Sequence, residues 1–217
     1  MKAIFRICLI LCALVTFGET MAQGVFAVPC AEGQTIFYRP VGNVVGGEPR
    51  AVVTHPMAEW PYYADSQKPK GAITLPQYVE DEGVRYRVEG VGANAFYRCD
   101  SIDTVRLACY EYVGTQAFCG CIALQHIELN ECLLAIGEGA FAYCGSLHNL
   151  LLPDSMVVIG ISAFAACFGL EQMQMTEKAW QKCNSLTFYG CPLVENGKKP
   201  VKTADAHLIW KTEMPCW

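Results

Sequence analysis

Leu147 to Cys167, LHNLLLPDSMVVIGISAFAAC, is one full copy of a phrase that this chain repeats. Its ending, Ala-Phe-x-x-Cys, occurs four times, and a fifth copy has threonine in place of alanine. The five copies end at Cys99, Cys121, Cys144, Cys167 and Cys191, so the steps between them are 22, 23, 23 and 24 residues. A phrase that returns at a nearly constant step predicts a stacked array of short structural repeats.

Each repeat unit carries two further signals. An apolar alternation, as in Ile127-x-Leu129, puts two side chains on one face of a strand. An apolar residue and a glycine, as in Ile159-Gly160, come before the Ala-Phe pair, and we interpret this glycine as a tight bend. The Phe and the Cys are three residues apart, which places both on one side of a helical or 3₁₀ turn and predicts that both face the core. The alternation also occurs at Val105/Leu107, Leu150/Leu152 and Met173/Met175.

The pattern L-x-x-I-x-L-P-x-S-x-x-x-I-G-x-x-A-F-x-x-C, nearly whole in Leu147 to Cys167, resembles the leucine-rich repeat of BspA-type bacterial surface proteins. The likeness covers four good copies and one degenerate copy, and Ala72 to Val88 resembles the lead-in of that family. It implies an extracellular or cell-envelope protein that acts in recognition or adhesion and is not an enzyme. The predicted fold is an α/β repeat solenoid, a leucine-rich-repeat right-handed superhelix of about five coils with a short β-rich N-terminal cap.

The chain divides into four predicted segments. Residues 1–22 have the order of a signal peptide: Lys2 and Arg6, an apolar run over residues 7–17, and small residues before a cut after Ala22. Residues 23–88 are predicted to form the cap, 89–194 the solenoid and 195–217 a C-terminal cap or tail. No second apolar segment of spanning length follows the signal peptide. We therefore expect a secreted or cell-envelope protein with no membrane span in the mature chain.

The cap region has weaker patterns. Thr35–Tyr38 and Ala51–Thr54 are β-prone runs, and the glycine-rich stretch Val41–Gly47 between them predicts a hairpin turn. Residues 71–88 are predicted to form a strand, a turn at Glu80–Gly83 and a second strand. The aromatic stretch Trp60–Tyr63 is interpreted as apolar cover for the open end of the array, in preference to a platform for stacking a ligand.

The acidic balance of the chain disfavours nucleic acid as a partner. The formal charge is −5, and removal of Lys2, Arg6 and Glu19 with the signal peptide leaves 14 basic against 20 acidic residues, or −6. Binding to phosphates relies on a basic footprint, which this composition lacks. More than half of the residues are apolar, so the chain is able to bury one substantial core.

Most of the 13 cysteines have a structural interpretation. The five in the repeated phrase are predicted to stack as a buried ladder, because a free thiol behaves as a small apolar side chain. A zinc site would need closely spaced Cys pairs instead of this repeat spacing. Cys109 and Cys132 share one repeat position in adjacent units, where about one strand spacing suits a disulfide. Export makes oxidation of this pair possible.

No motif predicts catalysis or a cofactor. His126-x-Glu128 is similar to the H-x-E of zinc deaminases, but the P-C-x-x-C motif that completes such a site is missing. Both residues flank Ile127 and are therefore predicted on the solvent face of a strand. We predict that the protein is not an enzyme and uses no metal or other cofactor.

Two classes of function remain from the sequence. The first is recognition or adhesion, in which outward residues of the strands bind a protein or glycan partner. The second is a structural spacer or scaffold of the cell envelope without a specific soluble ligand. Four of the outward residues, at one shared repeat position, are predicted to align as a row: Arg106, Glu128, Leu151 and Gln174. The full candidate face adds His126, Asn149 and Gln172.

Overall fold

The computed structural model describes residues 24–42, 47–195, 201–202 and 207–211. The predicted signal peptide, the centre of the predicted turn at 41–47 and most of the tail lie outside these ranges. The described part of the chain consists mainly of strands, and its helices are short. The α/β component of the predicted fold class is therefore not confirmed. Within the same ranges, no helix has the length and hydropathy that a bilayer-spanning segment needs.

The strands are numbered in chain order. They are β1 Phe26–Pro29, β2 Thr35–Pro40, β3 Arg50–Thr54, β4 Gly71–Leu75, β5 Tyr78–Asp81, β6 Val84–Val91, β7 Ile102–Leu107, β8 Tyr112–Val113, β9 His126–Glu128, β10 Ala135–Ile136, β11 Asn149–Leu151, β12 Val158–Ile159, β13 Gln172–Thr176, β14 Val201–Lys202 and β15 His207–Lys211. The helical elements are a 3₁₀ turn Asp65–Gln67, α1 Glu177–Trp180 and α2 Pro192–Glu195.

Two parallel ladders run along the repeats. The first contains the strands of the predicted apolar alternation, in the order β4-β7-β9 and then β11-β13. The second contains the short strands before the Ala-Phe pairs, in the order β6-β8-β10-β12. All the repeat strands that pair do so in parallel, as stacked repeats require, and the first ladder is interrupted between β9 and β11. The first ladder begins at Gly71, upstream of the predicted start of the solenoid at residue 89, so the lead-in already contributes a strand to the array.

The crossing segments that carry the Ala-Phe pairs are turns, not helices. Their amides bond to the next unit: Phe96 N–H donates to Ala117 O at 2.7 Å, and Phe118 N–H donates to Ala140 O at 2.8 Å. Within a turn, the Cys N–H returns to the Phe carbonyl three residues earlier, as at Cys121 (3.2 Å). Because these N–H groups bond between units, the segment forms a third ladder in place of a continuous helix.

The repeated Phe and Cys side chains form the centre of the core, as predicted. Successive Phe rings lie nearly parallel, with centroids 5.0 to 5.4 Å apart. Each thiol in the four later units donates to the carbonyl of the Phe one unit earlier, for example Cys144 Sγ to Phe118 O at 3.2 Å. All five cysteines are fully buried. A thiol is thus both a small apolar side chain and a weak donor that satisfies a buried carbonyl.

The glycines that follow the second ladder stand at the predicted bend and also serve close packing. A turn begins at each of them, as Ala163 N–H donates to Gly160 O at 3.3 Å, but Gly114, Gly137 and Gly160 do not have a positive φ, so the turn itself does not require glycine there. A Cβ on Gly137 would lie 2.5 Å from the Thr115 nitrogen, and one on Gly160 would lie 2.5 Å from the Glu138 nitrogen. Only hydrogen fits there, because the backbone of the preceding unit occupies the space.

The N-terminal cap extends the second ladder with antiparallel strands. β1, β2 and β3 pair in sequence, which confirms the predicted pairing of the two β-prone runs, and β3 then lies parallel to β6. β5 and β6 form a hairpin whose turn is narrower than predicted. Glu80 and Asp81 belong to β5, and the turn is made by Glu82 and Gly83, both with positive φ.

Both ends of the first ladder are covered. At β4, the Glu32 carboxylate accepts from Thr74 N–H at 3.0 Å, and the Gln34 amide donates to Ala72 O at 3.1 Å. At the other end β15 pairs antiparallel with β13. Unpaired edge strands invite association with other chains. Here Glu32 and Gln34 at one end and β15 at the other form hydrogen bonds with backbone groups that would otherwise be unpaired.

Truncation of a stacked ring is expected to be severely destabilising. Phe141 is fully buried between two other rings. Phe141→Ala should lower the free energy of unfolding by about 3 to 5 kcal/mol, because it leaves a cavity in a close-packed interior. Gln125→Ala, at an exposed position, should change it little. Chemical denaturation of the two variants checks this, and equal shifts would contradict the assignment of the core.

Addition of one methyl group between units should also be destabilising. Gly137→Ala is expected to lower the free energy of unfolding by about 2 kcal/mol or more, because the Cβ meets backbone that cannot rotate away. Gly145→Ala is the matched control, since nothing lies within 4 Å of its Cβ position. Thermal melts of the two variants measure the difference. A Gly137→Ala protein as stable as Gly145→Ala would show that the units are not packed this closely.

Candidate recognition surface

The outward side chains of the first ladder form one surface, which we call the strand face. Alternation along each strand explains it: Val105, Leu150 and Met173 point into the core, and their neighbours point to solvent. The predicted candidate residues all lie on this surface, and all but Gln174, which is half-buried, are exposed. They are Arg106, His126, Glu128, Asn149, Leu151, Gln172 and Gln174.

The half of the strand face made by β7 and β9 is polar and internally paired. Arg106 lies opposite Glu128 in the register of the two strands. Its Nε donates to Glu128 Oε1 at 3.0 Å, although both side chains are largely exposed. An exposed pair of this kind contributes little to stability. Its main consequence is that neither charge is presented to a partner without first being separated from the other.

The half of the strand face made by β11 and β13 is uncharged. Asn149 lies opposite Gln172, and Leu151 lies opposite Gln174. Leu151 is 58% exposed, between two buried leucines. An exposed leucine with amide side chains around it offers a small apolar contact with hydrogen-bonding groups at its border, which is the composition of a modest binding surface.

The predicted continuous row of four residues occurs as two pairs. Within the described strands, Arg106 pairs with Glu128 and Leu151 with Gln174, but β9 and β11 belong to separate sheets. The amides at the start of the strands still connect the units, with His148 N–H donating to Gln125 O at 3.4 Å. The strand face is therefore one surface made of two differently charged halves.

Two observations on the described residues concern groups that could act on a substrate. No group of three or more His, Cys, Asp or Glu side chains among them is placed to hold a metal ion. Burial raises the pKa of the Cys99 thiol to about 12 and raises that of Cys121 well above its usual value. Both therefore remain protonated near neutral pH, whereas a nucleophilic cysteine needs a lowered pKa.

The structure reveals a second exposed surface that the sequence patterns did not single out. Large apolar side chains stand on the outside of the third ladder, and we call this surface the turn face. Each is more than half exposed. The sequence did contain a signal for this surface, because apolar residues occur at repeat positions that have no predicted role in the core. The turn face consists of Ile122, Tyr143, Phe168 and Tyr189.

The aromatic stretch in the cap has two roles instead of one. Tyr63 is buried, and its hydroxyl donates to Ala95 O at 2.7 Å, so it covers the end of the core as predicted. Trp60, by contrast, is 57% exposed. It borders a depression of about 360 Å³, which we call the end cleft. The end cleft is lined by Trp60, Tyr62, Asn94, Tyr97, Arg98 and Gln116.

The pair predicted as a disulfide has suitable geometry. Cys109 and Cys132 lie just beyond β7 and β9, with Cα atoms 5.2 Å apart and their sulfurs joined. This separation falls within the range of roughly 4.4 to 6.8 Å that a disulfide permits. The other cysteines of the described residues are free thiols, and most of them are buried.

Comparisons with known proteins agree with this architecture. The family model described as "BspA type Leucine rich repeat region" matches residues 89–202 in six copies. No curated protein matches the sequence. A solved leucine-rich repeat protein from Bacteroides capillosus is similar, with 24% identity over 63% of this chain and 88% of that one, at a TM-score of 0.50.

A second solved structure gives the same result for the fold. The pneumococcal vaccine antigen PcpA is similar over 70% of this chain and 38% of that chain, with 18% identity and a TM-score of 0.51. At these identities the two structures indicate a shared leucine-rich-repeat fold and nothing about ligands. The family model counts six copies, whereas the repeated phrase occurs five times, four as Ala-Phe-x-x-Cys and once as Thr-Phe-x-x-Cys, and the model extends past the last phrase to residue 202.

We predict that Cys109 and Cys132 form a disulfide in the native protein. Chain-entropy arguments assign about 3 kcal/mol to a crosslink that closes a loop of this length, and the separation is 23 residues. The Cys109→Ala/Cys132→Ala variant should therefore be less stable in denaturation than the oxidised protein. Non-reducing peptide mapping of protein isolated from its cells tests the bond directly. Two free thiols in that sample would contradict the prediction.

Proposed function

Since this chain belongs to the family with BspA-type leucine-rich repeats, we propose that it is an exported recognition protein that binds a protein or glycan partner through the strand face. The observation that carries the proposal is the open strand face itself. Its two ends are covered, whereas its outward side chains are accessible along four consecutive strands. Solenoid proteins use extended surfaces of this kind for binding.

The expected anchors are Leu151 and Arg106. Leu151 supplies exposed apolar area, and interface energy concentrates in a few residues that become fully desolvated. Arg106 is tied to Glu128, so a partner with a carboxylate or carbonyl group has to compete for the guanidinium. The proposal therefore predicts selective and moderate binding, in which the pair sets orientation more than affinity.

The proposal includes a finer description of the array, as one right-handed superhelix of about five coils. Five strands of the first ladder, β4, β7, β9, β11 and β13, precede the five copies of the repeated phrase. Crossover connections between parallel strands are right-handed in nearly all proteins. An experimental structure with left-handed crossovers would contradict this part.

Export to the cell envelope or beyond is part of the same proposal. The order of residues 1–22 supports it, as does the geometry of Cys109 and Cys132, since disulfides persist mainly in oxidising compartments. The sample used for peptide mapping also provides the test. Its first residue is expected to be Gln23, and a chain that still begins at Met1 would contradict processing at this site.

A structural scaffold of the envelope is the second candidate function. The turn face favours it, because Tyr143, Phe168 and Tyr189 are each more than 60% exposed at neighbouring units. Large exposed apolar side chains of this kind suit permanent burial against another envelope component. A scaffold would use the turn face and leave the strand face without a ligand, so substitutions on the two faces discriminate between the functions.

Substitutions on the strand face should weaken binding. Once a partner is identified by screening the mature protein against matrix proteins and glycans, Leu151→Asp and Arg106→Glu are each expected to reduce affinity about tenfold or more. The first places a charge in the apolar contact, and the second reverses a charge beside Glu128. Calorimetric titration of the partner measures both effects.

Glu138→Lys is the matched control, because Glu138 is exposed beside the turns and lies away from the strands. It should leave affinity unchanged. Tyr143→Ser on the turn face tests the scaffold function in the same titration. If Glu138→Lys or Tyr143→Ser weakens binding while both strand-face variants bind normally, the assignment to the strand face is wrong.

A further inference from the structure

The end cleft combines three aromatic rings with planar polar side chains. The Trp60 ring centroid lies 5.5 Å from that of Tyr97 and 5.8 Å from that of Tyr62, and both contacts are edge-to-face. Neither tyrosine stacks flat on the indole, which stays more than half exposed. The Asn94 amide, the Gln116 amide and the Arg98 guanidinium complete the lining. A volume of about 360 Å³ is at the lower end of small-ligand sites.

The walls of the end cleft are held in place by the fold. Arg98 N–H donates to Cys119 O at 2.8 Å, and Asn94 N–H donates to Thr115 O at 3.0 Å, so the third ladder fixes both backbones. Asn94 Nδ2 donates to the Tyr62 hydroxyl at 3.3 Å and joins the repeat wall to the cap wall. A site assembled this way does not need to be ordered by its ligand, which lowers the entropic cost of binding.

Arg98 is the only charged residue of the lining and is not neutralised. Arg50, Arg87 and Arg106 each form an ion pair with a glutamate, whereas none of the ion pairs among the described residues involves Arg98. Its guanidinium carbon lies 5.9 Å from the Trp60 ring centroid. A cation available to solvent beside an aromatic ring favours an anionic ligand at this place.

The second repeat leaves room for this side chain. Gly120 occupies the position in its turn that corresponds to Arg98 in the preceding turn. A Cβ there would lie 3.1 Å from Arg98 Cγ, and Gly120 has a positive φ that suits glycine. The later units show that glycine is not obligatory, since Tyr143 and Ala166 adopt the same left-handed conformation. Glycine at this unit therefore keeps space beside Arg98.

We propose that the end cleft binds an anionic saccharide, with one sugar ring lying on Trp60 and its carboxylate or sulfate group paired with Arg98. The C–H face of a pyranose packs on an aromatic ring, and its hydroxyls suit amide side chains that donate and accept. The guanidinium forms charge-assisted hydrogen bonds with a carboxylate or a sulfate. This site is separate from the strand face, at the N-terminal end of the array.

Three soluble probes test the proposal on the mature protein: 3′-sialyllactose, trigalacturonic acid and a heparin tetrasaccharide. Lactose and maltotriose are the neutral counterparts. Calorimetric titration should detect binding of at least one anionic probe, with the neutral sugars about tenfold or more weaker. The probe that binds distinguishes a carboxylated from a sulfated ligand. Arg98→Gln should reduce the affinity for that probe about tenfold, because the substitution removes the charge but leaves a polar amide and most of the side-chain stem.

Arg85→Gln is the matched control. Arg85 is an exposed arginine of β6 whose guanidinium carbon lies 4.0 Å from the Tyr78 ring centroid, outside both the end cleft and the strand face, so this variant should bind the probe with unchanged affinity. Trp60→Phe keeps a ring and should weaken binding less than Trp60→Leu. Arg98→Gln decides the matter even if a Trp60 variant destabilises the cap, because the Arg98 side chain is exposed. The proposal is overturned if no anionic probe binds, if neutral sugars bind equally well, or if Arg98→Gln and Arg85→Gln have the same effect. These outcomes are independent of the strand-face variants.

Discussion

Neighbouring units approach so closely that the backbone of one fills the space where a side chain of the next would stand. At Gly137 and Gly160, an added Cβ would lie 2.5 Å from backbone atoms of the preceding unit. The same closeness sets the spacing of the stacked Phe rings and brings the thiols of the four later units within 3.0 to 3.2 Å of a Phe carbonyl. A unit of about two dozen residues has no core of its own, so the core and the exposed surfaces of the molecule depend on this contact between units.

A stack of this kind creates two exposed ends, and the chain closes both. The cap presents Glu32 and Gln34 to the free edge of β4, and β15 pairs with the last strand of the first ladder. The fifth unit ends differently from the others: α1, capped by the Thr176 hydroxyl, follows β13 where the earlier units have a short strand. Atypical terminal units prevent the array from continuing into another chain.

Because the interior repeats so regularly, chemical variety is confined to the outside. The strand face carries a neutralised pair and one exposed leucine. The turn face carries large apolar side chains, and the end cleft carries aromatic rings with an unneutralised arginine. These three surfaces differ in the ligands they suit, and the end cleft is the one where polar and aromatic groups converge. It lies where the repeats meet the irregular cap, the place at which the repeat pattern no longer dictates the neighbours of a residue.

The sequence by itself determined the repeats, the strands of the first ladder and the burial of the Phe and Cys side chains. These follow from period and alternation, which are local properties of the chain. The sequence predicted a bend at the glycines, where turns do begin, but it did not reveal that only glycine fits between the units, because a bend and a close approach leave the same pattern. The shared repeat position also placed Arg106 beside Glu128, which form an ion pair across two strands. Only the tertiary structure decided which residues of the cap meet those of the repeats. Trp60 and Arg98 are far apart in sequence but line one cleft, because the cap docks on the first unit, and no local pattern encodes that contact.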